Sequence, residues 1–118
     1  MSGTGRTDAP SALGGVRRLA GEAQVLAAQR DDSNSWVWLT VPRIRQLLDR
    51  SVDLLAEAAH DAGDDDRRAR ALRAARDEIS AHLRAAEHVE AAKPQQTAHV
   101  DLVMRAVDVL CDALDHPA

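Results

Sequence analysis

The sequence predicts an all-α protein, a small four-helix bundle made of a weaker N-terminal helix and three strong ones, preceded by a mobile N-terminal tail. Three observations predict it. Apolar residues recur every three or four positions through most of the chain, which is the helical period. The runs are punctuated by Pro42, Gly63 and Pro94, residue types that start or stop helices. No strand pattern has a partner: "SWVWLTV" (35–41) is the one β-like stretch, and a single strand makes no sheet. At 118 residues, 45 % apolar and 29 % charged, the chain has the composition of one soluble globular domain.

Residues 1–12 are rich in Gly, Ser, Thr and Pro without periodicity and are expected as the tail, leaving 13–118 as the domain. In the first helix Leu13, Val16, Leu19, Ala20, Ala23, Leu26 and Ala27 follow the helical period, and "RDDSNS" (30–35) ends it. Gly14, Gly15 and Gly21 weaken this helix by about 1 kcal/mol each relative to Ala. For the second helix Thr40 is expected as N-cap with Pro42 in the first turn. Leu39 and Ile44 have the spacing of a hydrophobic staple across that start. Ile44, Leu47, Leu48, Val52, Leu55, Ala58, Ala59 and Ala62 form the stripe, and Gly63 terminates it.

The third helix opens on Asp64–Asp66, carboxylates that suit the positive end of a helix dipole. Its stripe is Ala69, Leu72, Ala75, Ile79, His82, Leu83, Ala86 and Val89, and Pro94 closes it. The fourth helix starts near Thr97. Its polar positions Asp101, Arg105, Asp108, Asp112 and Asp115 are spaced four, three, four and three, one narrow ridge on a helix otherwise apolar. A helix apolar around most of its circumference needs cover on more than one side. It is therefore expected to be central to the bundle or to carry a homodimer interface, with Leu102, Met104, Ala106, Val109 and Ala113 as the contact residues.

Candidate chemistry is thin. Trp36 and Trp38 are the only aromatic residues, with no Phe and no Tyr. As alternate residues of an extended segment they would point the same way. With Leu39 they are the candidate partner-contact or ligand-contact residues, and otherwise close an end of the bundle. His82 interrupts an apolar stripe with Glu78 one turn away; it is the candidate buried titratable group. Cys111 is the lone cysteine, beside Asp108 and Asp112, which disfavour the thiolate that a nucleophile needs. Glu57 and His60 form the one Glu-x-x-His pair, on the polar side of its helix, so no metal site is expected. No phosphate loop, nucleophile elbow, His-Glu-x-x-His or Cys-x-x-Cys motif occurs, so no catalytic residues and no cofactor are expected.

The net charge of −4 falls entirely in residues 61–118, with eight basic against twelve acidic side chains; residues 1–60 balance at seven each. That balance does not favour nucleic acid. "WLTVPRIRQLLDRS" (38–51) nevertheless resembles the first half of the helix-turn-helix domains of excisionase and related regulators. The resemblance implies a DNA-associated regulator using residues 36–76, with Arg43, Arg45, Arg67 and Arg70 on the duplex. The family turns after its two leucines and presents a basic recognition helix. This chain continues with "VDLLAEAAHDAG" (52–63), acidic and Ala-rich.

A second resemblance covers more of the chain. "RRLAGEAQVL" (17–26), "LLDRSVDLLAEAA" (47–59) and "AHVDLVMRAVDVLCDALDH" (98–116) are similar to a family of small actinobacterial helical proteins found alongside natural-product biosynthesis. That family implies the helical fold and no catalytic residues. The expected function is a non-enzymatic interaction or accessory protein, self-associating through the C-terminal helix. Its expected partners are a second copy and a protein partner, without membrane. A small-ligand binder near the tryptophans is the third reading. Ser2 is not a myristoylation glycine and the N-terminus lacks a secretory pattern, so a cytoplasmic location is expected.

Overall fold

A computed structural model describes residues 11–30, 35–63, 66–90 and 96–115. They form helices α1 (Ser11–Ala28), α2 (Val41–Asp61), α3 (Asp66–Glu90) and α4 (Gln96–Asp115), with a π-helical turn over Trp36–Thr40 leading into α2. No strand occurs among the described residues. Residues 1–10 of the expected tail lie outside the described residues; Ser11 and Ala12 open α1, and Ala12 is in the core.

The helical periods read from the sequence are the buried faces. Val16, Leu19, Ala20 and Ala23 line the inner side of α1, and Ile44, Leu47, Leu48, Leu55, Ala58 and Ala59 that of α2. Ala69, Leu72, Ala75, Ile79, Leu83 and Ala86 do so on α3, and Val100, Val103, Ala106, Val107 and Leu110 on α4. Nine of these buried positions across the bundle, Ala12 included, are alanines, so helices sit close while each contact covers little area. Ser51 is the polar exception inside α2: its hydroxyl donates to the Leu47 carbonyl one turn back at 2.8 Å, which satisfies it without a partner helix. Gly63 ends α2 as expected, at φ 59°, with its N–H donating to the His60 carbonyl at 3.2 Å. Asp66 occupies the first turn of α3; Asp64 and Asp65 lie outside the described residues.

Successive helices pack side by side, and the α1–α4 seam closes the ring with the least contact of the four. The antiparallel register of that seam can be read from its neighbours: Arg30 bonds Asp101 at 3.1 Å, and Arg17 lies by Leu114 at the other end. Between α1 and α2, Arg43 bonds Glu22 at 2.7 Å. Arg45 on α2 reaches Glu87 on α3 at 3.5 Å. These pairs are solvent-accessible and contribute at most ~1 kcal/mol each.

The start of α2 differs from the expectation. Thr40 is not a cap; at φ −88° and ψ −41° it is already helical and its hydroxyl makes no capping bond. Helical backbone runs from Ser35 to Asp61, and the Val41 N–H bonds the Trp36 carbonyl five residues back. Pro42 supplies the physical reason. It has no N–H for the carbonyl four residues earlier and its ring crowds that carbonyl, so the preceding turn widens. A π turn holds about one residue more than an α turn, which rotates the chain before it by ~100°. Traced back as a plain α-helix, the stripe Leu55, Leu48, Ile44, Val41 arrives at Val37; with the extra residue it arrives at Trp36.

Candidate functional site

Helical backbone puts the two tryptophans on opposite sides, and the rotation turns Trp36 inward. Trp36 is 6 % exposed and belongs to the core, while Trp38 is 67 % and Leu39 75 % exposed. The expectation of two rings on one side of an extended segment is therefore corrected: the segment is a π turn, and its residues fan around an axis. Leu39, so exposed, makes no staple with the buried Ile44. Val25, 60 % exposed, is the third large apolar side chain in solvent among the described residues. It stands one turn beyond Glu22 on α1, while Leu39 stands one turn before Arg43 on α2. Because α1 and α2 are antiparallel and Glu22 bonds Arg43, Val25 and Leu39 come to the same level. The candidate site is this apolar group at the start of α2: Trp38, Leu39 and Val25, held on helical backbone behind Pro42.

The row expected as an interface on α4 divides. Ala106 is fully buried within the chain, while Leu102, Val109 and Ala113 are half-buried. The spacing of these four puts them on one flank of α4. Ala113 lines a small cavity together with Ala71 and Leu72 of α3 and Leu13 and Arg17 of α1. Leu102, Val109 and Ala113 keep part of their surface in solvent. Met104 lies on the opposite flank, half-buried in a groove between α1 and α4. None of the exposed large apolar residues is on α4. The polar ridge is where the sequence put it: Asp101, Arg105, Asp108 and Asp112 are exposed, and the Asp115 side chain lies outside the described residues.

The α1–α4 groove has a volume of about 680 Å³ and is lined by Gln24, Ala27, Ala28 and Arg30 on the α1 side and by Met104, Val107, Asp108, Cys111 and Asp112 on α4. A second groove of about 400 Å³ between α2 and α3 is lined by Asp49, Val52, Asp53, Ser80, Leu83, Arg84 and Glu87. Neither tryptophan lines either groove.

The histidine assignment is also corrected. His82 is half-buried, its side chain 23 % exposed, and its Nε2 stands 3.8 Å from Glu78, beyond hydrogen-bond reach. The buried histidine is His99, whose Nδ1–H donates to the Ala86 carbonyl of α3 at 2.9 Å. The signal was present: His99, Val103, Ala106 and Leu110 are spaced four, three and four, so His99 heads the α4 stripe. A carbonyl only accepts, so the bond places the ring proton on Nδ1. Its role is to tie the last turns of α3 to the first turn of α4.

The residues expected on DNA lie at opposite ends of α2. Arg43 and Arg45 lie at the start of α2, ~25–30 Å along it from the end where Arg67 and Arg70 begin α3. α2 also runs unbroken past Leu47 and Leu48, where a helix-turn-helix would turn. Arg76, further along α3, pairs with its neighbour Asp77 at 2.9 Å.

Among the described residues no group of three or more His, Cys, Asp or Glu side chains converges as metal ligands. No helix among them is long and apolar enough to cross a membrane. No family model, curated protein or solved structure matches the chain.

Proposed function

We propose that this protein is a non-enzymatic helical interaction protein that associates with copies of itself, and that Trp38 and Leu39 are its contact residues. One observation carries the reading: two consecutive large apolar side chains, Trp38 and Leu39, stand in solvent on helical backbone just before Pro42. Ordering a flexible loop on binding costs conformational entropy; a preformed turn avoids that cost. Tryptophan is also the residue type most enriched where binding energy concentrates, because one side chain offers a large apolar face and an N–H. This reading centres the contact on the start of α2 rather than on the α4 row, which is at least half-buried within the chain.

Mass in solution tests it. Sedimentation at micromolar concentration is expected to show species heavier than the 12.7 kDa monomer. Trp38→Ala is expected to weaken association about 30-fold or more, the ~2 kcal/mol scale of a dominant contact residue. A chain that stays at 12.7 kDa across that range refutes the reading.

A further inference from the structure

We propose that the self-association is head-to-tail: Trp38 and Leu39 of one copy enter the α1–α4 groove of the next. The inference rests on the self-association reading above and names the surface that the contact residues meet. The α1–α4 seam is the loosest of the bundle, and its groove of about 680 Å³ falls within the ~300–1,000 Å³ range of sites that accept compact groups. Its lining is small or pliable: Ala27 and Ala28 on one wall, Met104 and Cys111 on the other. Methionine repacks readily around an inserted ring.

Charge selects the same pairing. The first two turns of α2 carry Arg43 and Arg45 and no acid before Asp49. The groove is lined by Asp108 and Asp112, one turn apart on α4, and by Arg30, which is bonded to Asp101 at 3.1 Å. The start of α2 laid on the groove sets arginine against aspartate. Arg43 and Arg45 keep exposed bonds to Glu22 and Glu87 within the chain, and such bonds exchange partners at little cost. In area, a buried tryptophan covers ~150–250 Å², so Trp38, Leu39 and the surfaces around them supply a large part of the ~1,000 Å² that a specific contact needs.

Geometry then sets the kind of assembly. α2 is not a wall of the groove, so anchor and groove are different surfaces of one molecule. A contact between different surfaces is heterologous, and it continues into chains or rings instead of stopping at two.

The test uses two variants of the full chain, each checked for native helicity by circular dichroism. Trp38→Ala/Leu39→Ala removes the anchor, and Ala28→Arg blocks the groove from an exposed position that the fold does not use. Wild type is expected to grow beyond a dimer as concentration rises, and to do so less at high salt. Each variant alone is expected to be monomeric. An equimolar mixture is expected to form a 1:1 complex and nothing larger, because it retains one intact anchor and one intact groove. The inference is overturned if either variant associates like wild type, if the mixture stays monomeric, or if wild type stops at a dimer. Wild type that never associates refutes the self-association reading itself, whereas wild type that associates with variants that change nothing refutes only this contact.

Discussion

Replacing each tryptophan by alanine separates a core role from a surface role. Trp36 is almost entirely buried, so its side chain removes ~150–250 Å² from water. At ~25 cal/mol/Å² that is worth ~4–6 kcal/mol. Alanine keeps part of this area, and the cavity left under the π turn adds to the loss, so Trp36→Ala is expected to cost ~3–5 kcal/mol. For a chain of this length each kcal/mol lowers the melting temperature by ~3–6 °C, so the expected drop is ~10–30 °C. Trp38 is two-thirds exposed, so ~1–2 kcal/mol of burial is at stake, and the area alanine keeps together with the freeing of the side chain on truncation offsets much of it. Trp38→Ala is expected within ~0.5 kcal/mol of wild type. Urea melts followed by far-ultraviolet circular dichroism measure both. They belong at submicromolar protein, because association at higher concentration would stabilise wild type by mass action. Equal losses at the two positions, or a Trp36→Ala cost below ~1 kcal/mol, would refute the rotation that the π turn is held to impose.

Other perturbations have equally definite outcomes. A Cβ at Gly21 meets nothing within 4 Å, so Gly21→Ala should stabilise α1 by ~0.5–1 kcal/mol, whereas Gly63→Ala, at φ 59°, should destabilise by ~1–2 kcal/mol; thermal melts read both signs. His99→Ala strands the end of α3 and should cost ~2–3 kcal/mol in chemical denaturation, while His82→Ala should cost under ~1 kcal/mol; the reverse order would show that His99 is not the residue joining α3 to α4. The Glu22–Arg43 bond is short at 2.7 Å but both side chains are well exposed, so a double-mutant cycle should give at most ~1 kcal/mol, shrinking in 1 M salt.

The parts of the fold legible in the sequence are those that one helix decides alone. The stripes of α2 and α3, the stop at Gly63 and the outward ridge of α4 follow from the spacing of apolar and charged residues along a single axis. What depends on a partner helix or on a change of period was not legible. Trp36, Val37 and Trp38 are all apolar, so spacing alone does not say which enters the core. One extra residue in the turn before Pro42 decides it, and that residue has no signature of its own. The apolar excess of α4 suggested an uncovered surface; the chain itself covers Ala106 fully and Leu102, Val109 and Ala113 in part. His99 differs: its place on the α4 stripe was visible, but a position beside Pro94 and Thr97 read as a helix end rather than a buried turn.

The alanine-built interior also shapes how the protein responds to temperature. Heat capacity rises on unfolding in proportion to the apolar surface that becomes wet. Here many interior positions contribute a single methyl, and the whole chain has two aromatic rings, one of them already in water. The heat-capacity increment should therefore fall at or below the low end of the usual ~12–15 cal/mol/K per residue. A small increment flattens the curve of stability against temperature, so cold and heat denaturation move further apart and stability changes little between them.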